Sequence, residues 1–148
     1  MRRIERYIRL HLEQRSGEIC HGLVVASPEY NGQLTPFLKN LVDWVSRLSY
    51  TSSRFEPVFC DRPVLLCSAS TGWSGGAVGL PHARSLFGYV GSVVVGDAIT
   101  LPFADQAWDA DGEFLDPELQ LRIDGATARI LHLARGYRHL RPAAAQAA

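Results

Sequence analysis

No segment of this sequence is long and apolar enough to read as a membrane span, and no signal-peptide core stands near its start. Charge of one sign is equally lacking. Fifteen basic residues balance fifteen acidic ones, so neither a nucleic-acid-binding surface nor an acidic tail is indicated. Cysteine is scarce: Cys20, Cys60 and Cys67 are odd in number and form no C-x-x-C pair. That excludes a disulfide framework and fits reduced thiols. His11, His21 and Cys20 have no second ligand pair at zinc spacing. Internal repeats are absent. A 148-residue chain with these properties is expected to be one soluble, cytoplasmic domain over residues 1–141, with an alanine-rich tail at 142–148 that has little to bury.

What is present is centred on Gly22–Leu48. Gly22-Leu23-Val24-Val25-Ala26-Ser27 is a short, β-branched apolar run that predicts a buried strand. Pro28-Glu29-Tyr30-Asn31-Gly32 predicts a rigid loop, because Pro28 fixes φ and Gly32 permits φ > 0. Thr35 and Pro36 suit the N-cap and first position of a helix. Its apolar stripe is Phe37, Leu38, Leu41, Val42, Val45 and Leu48, while Lys39, Asp43 and Arg47 step along another face at i,i+4 spacing. A strand, a turn and a helix in this order make ligand crevices at the carboxyl ends of parallel strands.

Elsewhere, the arginine-rich segment 2–15 predicts a helix, and Ser49–Pro57 a loop. Pro63–Ser70 predicts a second buried strand, entering the glycine-rich turn Thr71-Gly72-Trp73-Ser74-Gly75-Gly76 and then a helix over Leu80–Tyr89. Gly91–Gly96 predicts a third strand. Leu101–Phe114 reads as irregular, with a turn at Asp109–Gly112. Asp116 and Pro117 open a final helix whose stripe is Leu119, Ile123, Ala126, Ile130, Leu133 and Tyr137, closing at Gly136. Asp109, Asp111, Gly112 and Asp116 lack the further ligands of a calcium loop, so a turn followed by an N-cap explains them. Three apolar strands alternating with helices imply an α/β fold with a parallel sheet covered on both faces.

The string Ser27-Pro28-Glu29-Tyr30-Asn31-Gly32, followed by Leu38-Lys39-Asn40-Leu41-Val42-Asp43-Trp44, resembles the signature of the NADPH-dependent FMN reductases. These are flavodoxin-like flavoproteins related to quinone, azo-dye and chromate reductases. The turn Ser68-Ala69-Ser70-x-Gly-x-x-Gly-Gly and the stretch Ala104-x-x-Ala107-Trp108-Asp109-x-Asp111-Gly112 extend the likeness over most of the chain. The resemblance implies a three-layer open sheet of order 2-1-3-4-5, in which the three strands here are the third, fourth and fifth. The family's first strand and its Ser/Arg-rich phosphate loop have no counterpart in the sequence, which would leave the Gly22–Ser27 strand with an unpaired edge. Thr51-Ser52-Ser53-Arg54 has suitable residue types for that loop but follows a helix, and reads as ordinary loop.

By the same resemblance FMN is the cofactor and NAD(P)H the co-substrate. Pro28, Glu29, Tyr30, Asn31 and Gly32 would form a cofactor-binding loop, with Glu29, Tyr30 and Asn31 against the isoalloxazine, and Ser70, Thr71, Gly72, Gly75 and Gly76 would bring backbone to its pyrimidine side. The expected reaction moves two electrons to a quinone-like, azo or similar small acceptor, with no side chain as obligatory nucleophile or base. The expected assembly is a homodimer or homotetramer, with the Lys39/Asp43/Arg47 face and Trp44 as one candidate interface. Two other readings stand beside it. One is an interaction or oligomerisation module of the same fold without catalysis. The other is a serine hydrolase, because Gly72-Trp73-Ser74-Gly75-Gly76 matches G-x-S-x-G and Asp97, Asp105 or Asp109, then His132 or His139, follow in hydrolase order.

Overall fold

The computed structural model describes residues 21–48 and 58–137. The expected helix at 2–15, the loop at 49–57, the tail, His11, Cys20 and His139 lie outside the described residues. Within them the order is β1 (Leu23–Ala26), β2 (Glu29–Tyr30), β3 (Gln33–Leu34), α1 (Pro36–Leu48), β4 (Pro63–Ala69), α2 (Leu80–Tyr89), β5 (Val93–Leu101) and α3 (Pro117–Tyr137).

The main sheet has the order β1-β4-β5, and both pairings are parallel. Such a sheet needs cover on both faces, because each strand exposes apolar side chains in both directions. On one face α1 and α2 supply it: Leu38, Val42, Val45, Ala83 and Phe87 pack with Val25, Val64 and Leu66. Phe59 closes this layer edge-to-face on Phe87, with ring centroids 5.8 Å apart. On the other face α3 lays Leu119, Ala126 and Ile130 against Leu65, Val95 and Ile99. The α/β, flavodoxin-like parallel arrangement expected from the sequence is therefore present.

Helix starts follow local chemistry. The Leu38 N–H donates to Thr35 Oγ1 at 3.2 Å, and the Glu118 N–H to Asp116 Oδ1 at 2.9 Å, each satisfying a donor that the helix leaves unpaired. α2 spans the expected residues.

Five expectations are corrected. The third strand runs to Leu101, well past Gly96. β5 advances four positions from Val94 to Ala98 where β4 advances two from Val64 to Leu66, and this bulge hides the strand's second half from a simple pattern. Arg84 Nη2 donates to the Val95 and Gly96 carbonyls at 3.0 and 3.1 Å, satisfying acceptors at the bulge. Phe37 is 60% exposed rather than part of the buried stripe. β1 is not buried on both faces: Val25 is 9% exposed, whereas Val24, which pairs with Leu65 on the α3 side, is 62% exposed. α3 lies across β4 and β5 and leaves Val24 uncovered. The expected Pro28–Gly32 loop carries the small hairpin β2–β3, and α3 continues through Gly136 to Tyr137.

Candidate functional site

The carboxyl ends of β1, β4 and β5 open onto one end of the sheet. After β1 the Ser27 N–H still donates to the Cys67 carbonyl at 3.0 Å, and the chain then turns back on itself as β2–β3. The pairing Tyr30↔Gln33 leaves Asn31 and Gly32 as the connecting residues, with φ of 52° and 73°. Consecutive left-handed residues make a type I′ turn, the form that matches strand twist, and Asn-Gly is its preferred pair.

After β4 the Ser70 N–H donates to the Leu101 carbonyl at 3.1 Å, and the Gly72 N–H to Ser70 Oγ at 3.0 Å. Gly75 and Gly76 follow with positive φ. A Cβ at Gly75 would fall 2.5 Å from the Pro102 nitrogen, and one at Gly76 1.8 Å from Ser68 Oγ. These two glycines are thus required by close approach to β4 and to the segment after β5.

Glu29 joins the two turns. Its Oε2 accepts the Gly79 N–H at 2.7 Å, and Ser74 Oγ donates to its Oε1 at 3.2 Å. Gly79 is the N-cap of α2 and offers no side chain, so the Glu29 carboxylate occupies the positive helix end from outside. Gln33 Nε2 lies 3.1 Å from His82 Nε2 and extends the seam. The positive end of the α2 dipole is therefore already met by a carboxylate of the same chain.

A third wall comes from the segment between β5 and α3. Trp108 stacks on Phe114 with centroids 4.2 Å apart, and its indole N–H donates to the Ala104 carbonyl at 3.0 Å. Asp109 Oδ1 accepts the Asp111 and Glu113 amides, both at 2.9 Å, which confirms the turn expected there. Among the described residues no group of three or more His, Cys, Asp or Glu is placed to hold a metal.

These three segments enclose a cavity of about 580 Å³, within the usual size range of small-molecule sites. Of the sequence-predicted residues, Pro28, Glu29, Ser70 and Thr71 line it. Tyr30, Asn31, Gly32, Gly72, Gly75 and Gly76 do not line it: the first three build the hairpin, and the others shape the second turn. Sequence reasoning missed Trp108, Phe114, Leu119 and Ile123, which also line it. The stripe of α3 is readable as core, and nothing local says that its first turns also floor a cavity. Cys67 lies in the wall, and burial pushes its thiol up to about 11.

Ser74 is not set up as a nucleophile. Its hydroxyl is bound to Glu29 and accepts the Gly76 N–H at 3.4 Å; neither partner is a histidine. His132 is exposed on α3, across the sheet from α2. The hydrolase reading is set aside on this geometry.

The family model described as NADPH-dependent FMN reductase matches residues 15–106. The chain belongs to this family. The quinone reductase of Escherichia coli (strain K12) is 27% identical over 110 residues, covering 74% of this chain and 48% of that protein. The probable NADPH:quinone oxidoreductase 2 of Oryza sativa subsp. japonica is 31% identical over 126 residues, covering 74% of this chain and 58% of that protein. Among solved structures, the flavoenzyme NAD(P)H:(acceptor) oxidoreductase FerB of Paracoccus denitrificans superposes with a TM-score of 0.56 at 20% identity, covering 80% of this chain and 62% of that one. That likeness bears on the fold alone. The chain spans about half the length of the E. coli and Pseudomonas aeruginosa relatives it matches. Among the described residues no helix is long and apolar enough to cross a membrane.

Proposed function

We propose that this FMN reductase family chain is an NAD(P)H-dependent flavin oxidoreductase that reduces quinone-like, azo or similar acceptors by two-electron transfer. The observation that carries the reading is the Glu29 tie between the β1 and β4 turns, beside an apolar cavity at the strands' carboxyl ends. Crevices there are the usual ligand sites of open α/β sheets. The residues present suit a flat ring: Pro28 and the Ser70–Thr71 backbone border the cavity, and Leu101, Leu119 and Ile123 give it an apolar interior. FMN, when bound, supplies a redox carrier that takes a hydride from NAD(P)H and yields the electron pair to an acceptor. The chain's own part is to orient the ring, keep water from its apolar side and hold the two turns at fixed spacing.

A homodimer or homotetramer in the cytoplasm belongs to this reading. Support comes from α1, where Phe37 and Trp44, seven positions apart on one helix face, are 60% and 71% exposed. The same aromatics favour the second reading, an assembly module of this fold without catalysis. Titration with FMN separates the two. The flavin reading expects saturable FMN binding, seen as quenched flavin fluorescence, and NADPH-dependent quinone reduction. Protein that leaves FMN fluorescence unchanged while still self-associating supports the module.

A further inference from the structure

The two edges of the main sheet are finished differently. At β5 the bulge between Val94 and Ala98 breaks the ladder, Arg84 holds the Val95 and Gly96 carbonyls, and Asp97 pairs with Arg129. Bulges and charges of this kind keep a foreign strand from adding to an edge. β1 has neither: Leu23-Val24-Val25-Ala26 carries no charge, no proline and no bulge in its pairing with β4. Among the described residues no strand lies on its other side.

The backbone of β1 shows what that edge offers. The Ser27 N–H turns inward to the Cys67 carbonyl. Hydrogen-bonding groups alternate sides along a strand, so Leu23 and Val25 also face β4, while the N–H and C=O of Val24 and Ala26 point outward. Neither residue has a partner for these outward groups among the described residues. Both side chains are exposed, and both stand on the α3 face of the sheet, where α3 covers β4 and β5 but not β1. An unguarded apolar edge with unpaired backbone is a template for another strand.

We propose that β1 is a self-association edge, on which two copies of this chain pair antiparallel about a two-fold axis through Val25. Antiparallel residues opposite one another share a face of the sheet. With the axis at Val25, each Val24 stands opposite the second copy's Ala26. All the outward groups of Val24 and Ala26 are then satisfied by one another, and the exposed side chains of the two residues cover each other. The formal net charge of zero sets up no repulsion between copies. The pairing is isologous and consumes the unguarded edge of each copy, so it joins the two three-stranded sheets and stops there. Ala26 also lines the cavity at the strand ends, so the second copy's Val24 stands beside the β1 wall of that cavity. The inference goes beyond the flavin-reductase reading and holds whether or not FMN binds.

The test is sedimentation of the full chain, together with disulfide trapping. The parent chain is expected to show a concentration-dependent dimer. Val24→Lys places a charge on the open edge at an exposed position and is expected to raise the dissociation constant at least about tenfold. For trapping, Val24→Cys and Ala26→Cys chains are mixed and oxidised with copper–phenanthroline, with the parent chain and its own three cysteines as the blank. Opposed residues of a hydrogen-bonded antiparallel pair have Cα atoms about 5.5 Å apart, within disulfide reach. The mixture is therefore expected to give a covalent heterodimer in clear excess over either variant alone. This arm needs no disruptive substitution and stands even if Val24→Lys fails to fold. A chain that is monomeric at sub-millimolar concentration overturns the proposal. So does a dimer that folded Val24→Lys leaves intact, one that Trp44→Glu on α1 alone dissociates, or a mixture that traps no better than its separate components.

Discussion

The backbone N–H of Gly79 and the carboxylate of Glu29 meet at 2.7 Å across 50 residues of chain, and this one bond sets how the β1 turn stands against the amino end of α2. Ser74 adds a second bond to the same carboxylate. Charge-assisted hydrogen bonds contribute roughly 1.5–3 kcal/mol, with partly exposed ones at the lower end. Glu29→Ala is therefore expected to cost about 1–2 kcal/mol in denaturant unfolding, and Ser74→Ala less. Because both act through one carboxylate, the double variant should cost less than the two single effects added together.

Gly76 faces a harder constraint. With φ of 88° and a would-be Cβ 1.8 Å from Ser68 Oγ, Gly76→Ala should destabilise by more than about 3 kcal/mol. Gly96, with nothing within 4 Å of its would-be Cβ, should accept alanine with little loss. Adding Ser68→Gly to Gly76→Ala removes the steric part and should recover all but the left-handed backbone strain, about 1 kcal/mol. Thermal melts of the three variants check this.

At the bulge of β5, Arg84→Ala strips two carbonyls of their donor and should cost about 1–2 kcal/mol. For a chain of this size that lowers Tm by roughly 2–4 °C per kcal/mol. Arg84→Lys should fall between the two, since a single ammonium reaches both carbonyls less well than a planar guanidinium.

Cys67 makes a pH prediction. Burial raises its folded-state value from the ordinary 9.0 to about 11. The thiol is therefore protonated and slow to alkylate at neutral pH, and its iodoacetamide rate should climb about tenfold per pH unit toward 11. The folded pKa is raised, so the unfolded chain loses its proton first on going up in pH. The Cys67 contribution to stability is then complete below 9.0 and lost between 9.0 and about 11, and Cys67→Ser should flatten that part of the stability profile.

What the sequence makes legible is the chemistry of neighbours. Thr35-Pro36 and Asp116-Pro117 announce helix starts because a cap bonds within three residues of itself, and Val64–Leu66 announces a buried strand because both faces are apolar. The role of Glu29 was not legible, because its partners are brought in by the α/β crossover and no local pattern reports a carboxylate aimed at a helix 50 residues away. Phe37 follows the helix period yet lies outside, since a stripe records spacing and leaves open which flank the sheet covers. The wall made by Trp108 and Phe114 was hidden for a like reason: the two residues are six apart in an irregular stretch and meet only through the turn at Asp109.

The account turns on a flat ring resting between the Pro28–Gly32 and Ser70–Gly76 turns. A crystal structure of the chain soaked with FMN tests it most directly. The expected density is an isoalloxazine in the cavity bounded by Pro28, Ser70 and Trp108, with the Glu29–Gly79 bond kept. Density for the ring elsewhere, or both turns closed on one another with the cavity filled by their own side chains, would contradict it.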